Sequence, residues 1–248
     1  MIGIDQKSRF RLLVPLFLVM ITFASITGLA QFETSPSKKP VKDVRDSVII
    51  NYDKLAKKFG ENKEMPAGYE KQILFALSYF PELVHTKIKF LIKKSTGGII
   101  DTRPTMGSLL RKSSKRTYLV AIYDSTDGRK LPTFSNADVN GQVGILGHEF
   151  CHIVYFNNCT GLGLMGLGIA HISTSYMDRF ENRTDSMDIE RGLGHQLLAW
   201  KQYLDIGFKA MRPDKSETSE KPAARKRYMS VEEIQAAMDK NKIYQQEN

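Results

Sequence analysis

Hydrophobic positions recur at two different periods along this chain, and the changes between them outline its elements. Val44, Val48, Leu55 and Phe59 repeat at helical spacing and predict a surface helix over 44–59. The stretch Gly60 to Pro66 interrupts it. A second helix is predicted over 68–80, with Ile73, Leu74 and Leu77 available for a core. The period then shortens. Val84 to Ile92 alternates apolar and polar side chains as a strand does, and Thr117 to Tyr123 is a stronger strand candidate, followed by a turn signal at Asp127-Gly128. From Asn140 to Tyr155 the pattern is helical again, but Val143, Ile145, Leu146, Phe150, Ile153, Val154 and Tyr155 leave little polar surface. Such a helix is buried on most sides; Asn140 is expected to cap its start. Ile172 toward Phe208 reads as two helices interrupted at Gly192-Leu193-Gly194, and Ser230 with Glu233 forms a capping-box signal for a last helix over 231–240. A few strands among helices predict an α+β fold, with a small mixed sheet packed on the apolar helix.

The N-terminus follows a different rule. Lys7, Arg9 and Arg11 precede an apolar run from Leu12 to Ile21, which softens toward Gly28-Leu29-Ala30. This fits an export signal cleaved after Ala30. An uncleaved anchor is the alternative, because residues 12–30 carry no charge over nineteen positions. Either outcome places the rest of the chain outside the cytoplasm: periplasmic, extracellular or membrane-anchored. Residues 31–42 read as a linker, 43–211 as one folded domain, and 212–248 as a charged loop with a short C-terminal helix.

Composition adds little to this picture. At 248 residues and 42% hydrophobic content, one domain with a real core is expected. The net charge of +9 implies weak attraction to anionic surfaces. No zinc finger or RNA-binding signature accompanies it, so no specific nucleic-acid partner is expected. The only two cysteines, Cys151 and Cys159, do not make a disulfide scaffold and are read as thiols. The run from Gly161 to Gly168 lacks the lysine and hydroxyl residue of a phosphate loop and is read as a packed loop or helix.

The chemistry is concentrated in His148-Glu149-Phe150-Cys151-His152. On a helix, histidines four apart stand one turn above each other and can bind one metal ion, while the glutamate points into the same cleft. A catalytic site needs a third protein ligand. Glu181 is the best candidate; His171, His195, Asp185, Asp188 and Glu190 are alternatives. Asp185 stands four residues after Glu181 and can accept the free ring N–H of a ligand histidine. His195 is expected to stabilise the negatively charged oxygen of a tetrahedral intermediate, with Tyr176 or Arg191 as alternatives. His85 is expected to be a surface or structural residue.

His-Glu-x-x-His followed by Glu-x-x-x-Asp resembles the gluzincin metallopeptidases, and within them the M48-class peptidases. The likeness spans residues 140–190. It implies Zn2+ as cofactor, His148, His152 and Glu181 as ligands, Glu149 as general base, and Asp185 as the support behind a ligand histidine. It also implies a zinc-dependent endopeptidase acting on peptides or proteins at the cell envelope or outside the cell. The chain departs from the commonest family form at Thr184, where alanine is usual, and lacks a set of several membrane helices. A noncatalytic envelope interaction protein built on the zincin fold is the alternative. Tyr118 to Tyr123 is expected to be an edge strand that aligns an extended peptide.

Overall fold

The computed structural model describes residues 38–94, 98–124, 132–170, 173–210 and 227–245. The N-terminal export or anchor segment, the Asp127-Gly128 turn, His171 and most of the charged loop after residue 211 lie outside the described residues.

The helix expected over 44–59 is two helices, α1 (Arg45–Ile50) and α2 (Tyr52–Phe59). They part at Asn51, whose backbone leaves helical geometry (φ −94°, ψ 1°) and whose side-chain amide donates to the Ser47 carbonyl. Asparagine competes with the backbone in this way and so weakens helix interiors. A two-residue strand, β1 (Lys63–Glu64), follows, then α3 (Glu70–Leu77), in which Ile73 to Leu77 are all buried. A short 3-10 turn at Pro81–Leu83 delays the next strand, so β2 spans Lys87–Lys94.

A strand not foreseen from the sequence, β3 (Ile100–Pro104), precedes β4 (Thr117–Asp124). The sheet order is β1-β2-β4-β3. β1 and β4 each run parallel to β2, whereas β3 pairs antiparallel with β4, in register from Ile100 with Ile122 to Pro104 with Tyr118. The sheet is therefore mixed, but the expected edge strand is corrected. Residues 118–123 lie inside the sheet, hydrogen-bonded on both sides, and β3 is the edge on that side.

The apolar helix is α4 (Val139–Asn158), and it is the centre of the fold. Phe150 meets Phe80 and Phe90 edge-on, with ring centroids 5.5 and 6.1 Å apart, while Phe156 stacks on Tyr118 of β4. Its cap is Asp138, whose carboxylate accepts from the Gly141 N–H at 2.7 Å. Asn140 instead lies in the first turn and accepts from the Val44 N–H, pinning the N-terminal stretch to α4. The glycine-rich run forms α5 (Gly161–Ala170).

Next come α6 (Thr174–Arg191) and α7 (Gly194–Ala210). Gly192 ends α6 with φ 101°, a left-handed conformation that costs glycine nothing, and the Leu193 N–H returns to the Asp188 carbonyl at 3.1 Å. The last helices are α8 (Val231–Lys240) and α9 (Lys242–Gln245). Both halves of the Ser230–Glu233 capping box form, and Ile234 and Met238 of α8 pack with Ile189 and Leu197 of α6 and α7. Among the described residues no helix is long and apolar enough to cross a membrane.

One buried group in this packing works against stability. Asp188 on α6 is fully buried beneath α4, and neither carboxylate oxygen has a hydrogen-bond partner. Burial pushes its pKa well above the usual aspartate range, with Asp185 adding to the rise and His148 and Arg191 opposing it. The folded state therefore holds a proton that the unfolded state releases. Stability is unaffected below the ordinary aspartate pKa and falls as pH rises above it, by up to about 1.4 kcal/mol per pH unit from this group. Asp188→Asn is expected to melt like the parent near pH 4 and at a higher temperature at pH 8. Thermal melts across that range check this; a variant less stable than the parent at pH 8 would contradict it.

Candidate metal centre

The helix α4 presents His148 and His152 one turn apart, with ring centroids 4.8 Å from each other. Facing them, α6 presents Glu181, Thr184, Asp185 and Asp188, all buried. Their spacing of three, four and seven residues is one face of a helix. His148 Nε2 lies 3.1 Å and His152 Nε2 3.4 Å from Glu181 Oε2, and the three donor atoms fall within 4.8 Å of one another.

Each imidazole is oriented from behind. His148 Nδ1 is 2.8 Å from Asp185 Oδ1, and the other Asp185 oxygen accepts from the Met229 N–H at 2.8 Å. The carboxylate is thus held by the segment that enters α8. Behind His152, Nδ1 faces the Thr184 hydroxyl at 3.5 Å, and that hydroxyl donates to the Phe180 carbonyl at 3.0 Å. The His152 ring also stacks on Phe180 and Phe156, with centroids 5.1 and 6.1 Å away. With both Nδ1 atoms engaged by α6, both Nε2 atoms are left for a shared ligand.

Burial alone would favour neutral Glu181, but its hydrogen bonds to His148 and His152 outweigh burial and hold it below the carboxylate range. On His148 burial opposes the charged form, and the hydrogen bonds to Asp185 and Glu181 overcome it. Glu149 differs. Burial raises its pKa, the two imidazoles oppose the rise only in part, and its Oε2 is buried with no hydrogen-bond partner.

These residues line a cleft of about 330 Å³. One wall is β3, residues 100–104. The other walls are Leu109, Leu164, Leu167, Phe156, Phe180 and Tyr228. The donor set suits a metal ion. Two imidazole nitrogens and one carboxylate oxygen are the ligand chemistry of a catalytic zinc or related divalent ion, and Glu149 lines the same cleft. This is the catalytic apparatus of a zincin-type metallopeptidase. The mixed sheet packed on the helix that carries the triad is the matching α+β architecture.

No protein-family model matches the chain, and no curated protein or solved structure is significantly similar to it. The zincin assignment rests on the geometry of the triad and its setting.

The structure thus brings together His148, Glu149, His152, Glu181 and Asp185. It does not bring His195 to them. That ring packs edge-on against Tyr244 at 5.4 Å and does not line the cleft. Arg191 is committed elsewhere, to the Tyr79 carbonyl and to Glu82. Tyr176 faces the Tyr155 hydroxyl, Glu190 pairs with Arg183 near the surface, and His85 is exposed. Cys151 and Cys159 are both free thiols, and burial pushes the Cys151 pKa far up, so it is inert.

Three contributors escape sequence reasoning. Thr184 was legible in principle, since it shares the helix face of Glu181 and Asp185. Tyr228 and the Met229 N–H come from a segment more than forty residues downstream, and no local pattern points from there to the cleft.

Proposed function

We propose that this chain is a zinc-dependent endopeptidase of the gluzincin type, similar to the M48 class. In this reading it is exported and acts on peptides or proteins at the cell envelope or outside the cell. The observation that carries the reading is the convergence of His148 Nε2, His152 Nε2 and Glu181 Oε2, with a buried, unpartnered Glu149 oxygen beside them. Zinc held by these three atoms would act as a Lewis acid, polarising a peptide carbonyl and acidifying water.

The protein supplies the rest. Glu149 takes a proton from the attacking water on its carboxylate and returns it to the leaving amine. Burial raises its pKa, the direction that strengthens a carboxylate as a proton acceptor. Asp185 and Thr184 hold the imidazoles in the tautomer that presents Nε2. The edge strand β3 borders the cleft along Asp101, Thr102 and Arg103, so an extended substrate can add to the sheet there by backbone pairing.

Purified protein is expected to contain about one zinc per chain. It should cleave an unfolded protein substrate, lose zinc and cleavage together under chelation, and regain both when zinc is restored. Cleavage that persists after the metal is gone would sink the proposal.

A further inference from the structure

The rim of the cleft carries an unusual surface. From Cys159 to Met177 the chain has no Asp, Glu, Lys or Arg. This stretch contains α5, which is apolar on its inner and its outer side. Leu164 and Leu167 are buried and line the cleft, while Leu162 is 78% exposed and Met165 50% exposed. A helix on the surface of a soluble domain normally turns polar side chains outward.

The start of α5 lies against residues 109–110, where a Cβ on Gly161 would come within 3.1 Å of Leu110 Cα. That neighbouring segment adds Leu110, 71% exposed, and Met106, 90% exposed. The two segments are tied together by buried Arg116, which donates to the carbonyls of Phe156, Cys159 and Arg111. Scattered exposed apolar residues are ordinary, but a group of them beside a cleft marks an interaction surface.

Charge indicates what covers it. From Thr102 to Tyr123 every charged side chain is basic, and of these Arg103, Arg111, Lys112 and Lys115 are exposed. Apolar side chains flanked by lysine and arginine are the pattern of an interfacial segment on an anionic bilayer. α5 offers no outward polar group on its described side chains with which to specify a protein partner.

We infer that this rim docks on an anionic lipid surface. Leu162, Met165, Leu110 and Met106 enter the acyl boundary, and Arg111, Lys112 and Lys115 lie at the headgroups. The cleft mouth is then held at the bilayer, where a polypeptide segment emerging from the membrane can reach it. This docking does not depend on hydrolysis, so the Glu149→Gln protein is expected to dock as the parent does.

The test uses the full chain, with a tryptophan reporter at Leu162→Trp or, as a control away from the cleft, at Ile206→Trp. Both positions are exposed, and the native Trp200 is buried and common to both. Vesicles contain equal parts phosphatidylglycerol and phosphatidylcholine with a spin-labelled lipid. Emission from Leu162→Trp is expected to be quenched and that from Ile206→Trp spared. The vesicle affinity read at residue 162 should weaken roughly fivefold for each of Arg111, Lys112 and Lys115 replaced by glutamine. Vesicle binding without quenching at residue 162 would place the attachment in the N-terminal segment and overturn the proposal. Equal quenching on pure phosphatidylcholine would overturn the anionic requirement. A blue shift at residue 162 caused by unfolded polypeptide, with no quenching by lipid, would assign the rim to protein instead.

Discussion

Glu149→Gln is expected to retain its metal and lose peptide cleavage, with kcat reduced by about three orders of magnitude. The substitution keeps the size and shape of the side chain and removes only its ability to take up a proton. Glu149 is not needed to hold the ion, because the three converging donors belong to His148, His152 and Glu181. The folded protein should not suffer either. Glutamine fills the same buried space on the same helix, so the packing around residue 149 is kept. The variant should therefore melt close to the parent temperature at neutral pH. Three readouts separate the roles: metal content by elemental analysis, kcat on a peptide substrate, and a thermal melt. Loss of zinc would make Glu149 a ligand rather than a base. Cleavage at the parental rate would remove it from the chemistry altogether.

The parts of this site that were legible in the sequence are those governed by helical spacing. His148 and His152 lie four apart, as do Glu181 and Asp185, and the α-helix fixes what such pairs share. The break at Gly192 and the cap at Ser230 were legible for a related reason, since each is a local backbone need met by a particular residue. What failed was long-range. β3 has no alternation to announce it: Ile-Asp-Thr-Arg-Pro becomes a strand because β4 pairs with it, and it ends at a proline, as an edge strand can. Once β3 takes that side, β4 is no longer the edge. Asp138 displaced Asn140 as the cap because Asn140 found the Val44 N–H, ninety-six residues away in sequence. His195 stands near the active helices in sequence, but α7 directs it toward Tyr244. Pattern identifies the faces of helices, whereas partners arriving from distant segments decide which polar groups meet.

Gly144→Ala should be among the most destabilising single-methyl changes in this fold. α4 and α7 approach so closely at this point that a Cβ on residue 144 would lie 2.2 Å from the Gln196 carbonyl oxygen and 2.6 Å from the Leu197 nitrogen. These are backbone atoms of a helix and cannot rotate away, so the helices must separate. Helix propensity favours alanine by about 1 kcal/mol, and that gain is the smaller effect. Overpacking a core costs about 1–3 kcal/mol when side chains can adjust, and a backbone clash belongs at or beyond the upper end. Against a total stability of about 5–15 kcal/mol this is a large loss. Gly166→Ala is the internal control. It lies on α5 with nothing within 4 Å of the added Cβ, so propensity acts alone and the variant should be slightly stabilised. The effect of Gly144→Ala should also reach the site. His148 follows one turn later on α4, and displacing that helix moves its Nε2 from a position 3.1 Å from Glu181 Oε2. Denaturant melts and zinc titration of both variants measure the two consequences. A Gly144→Ala protein as stable as the parent would mean that α4 and α7 are not in contact at this glycine.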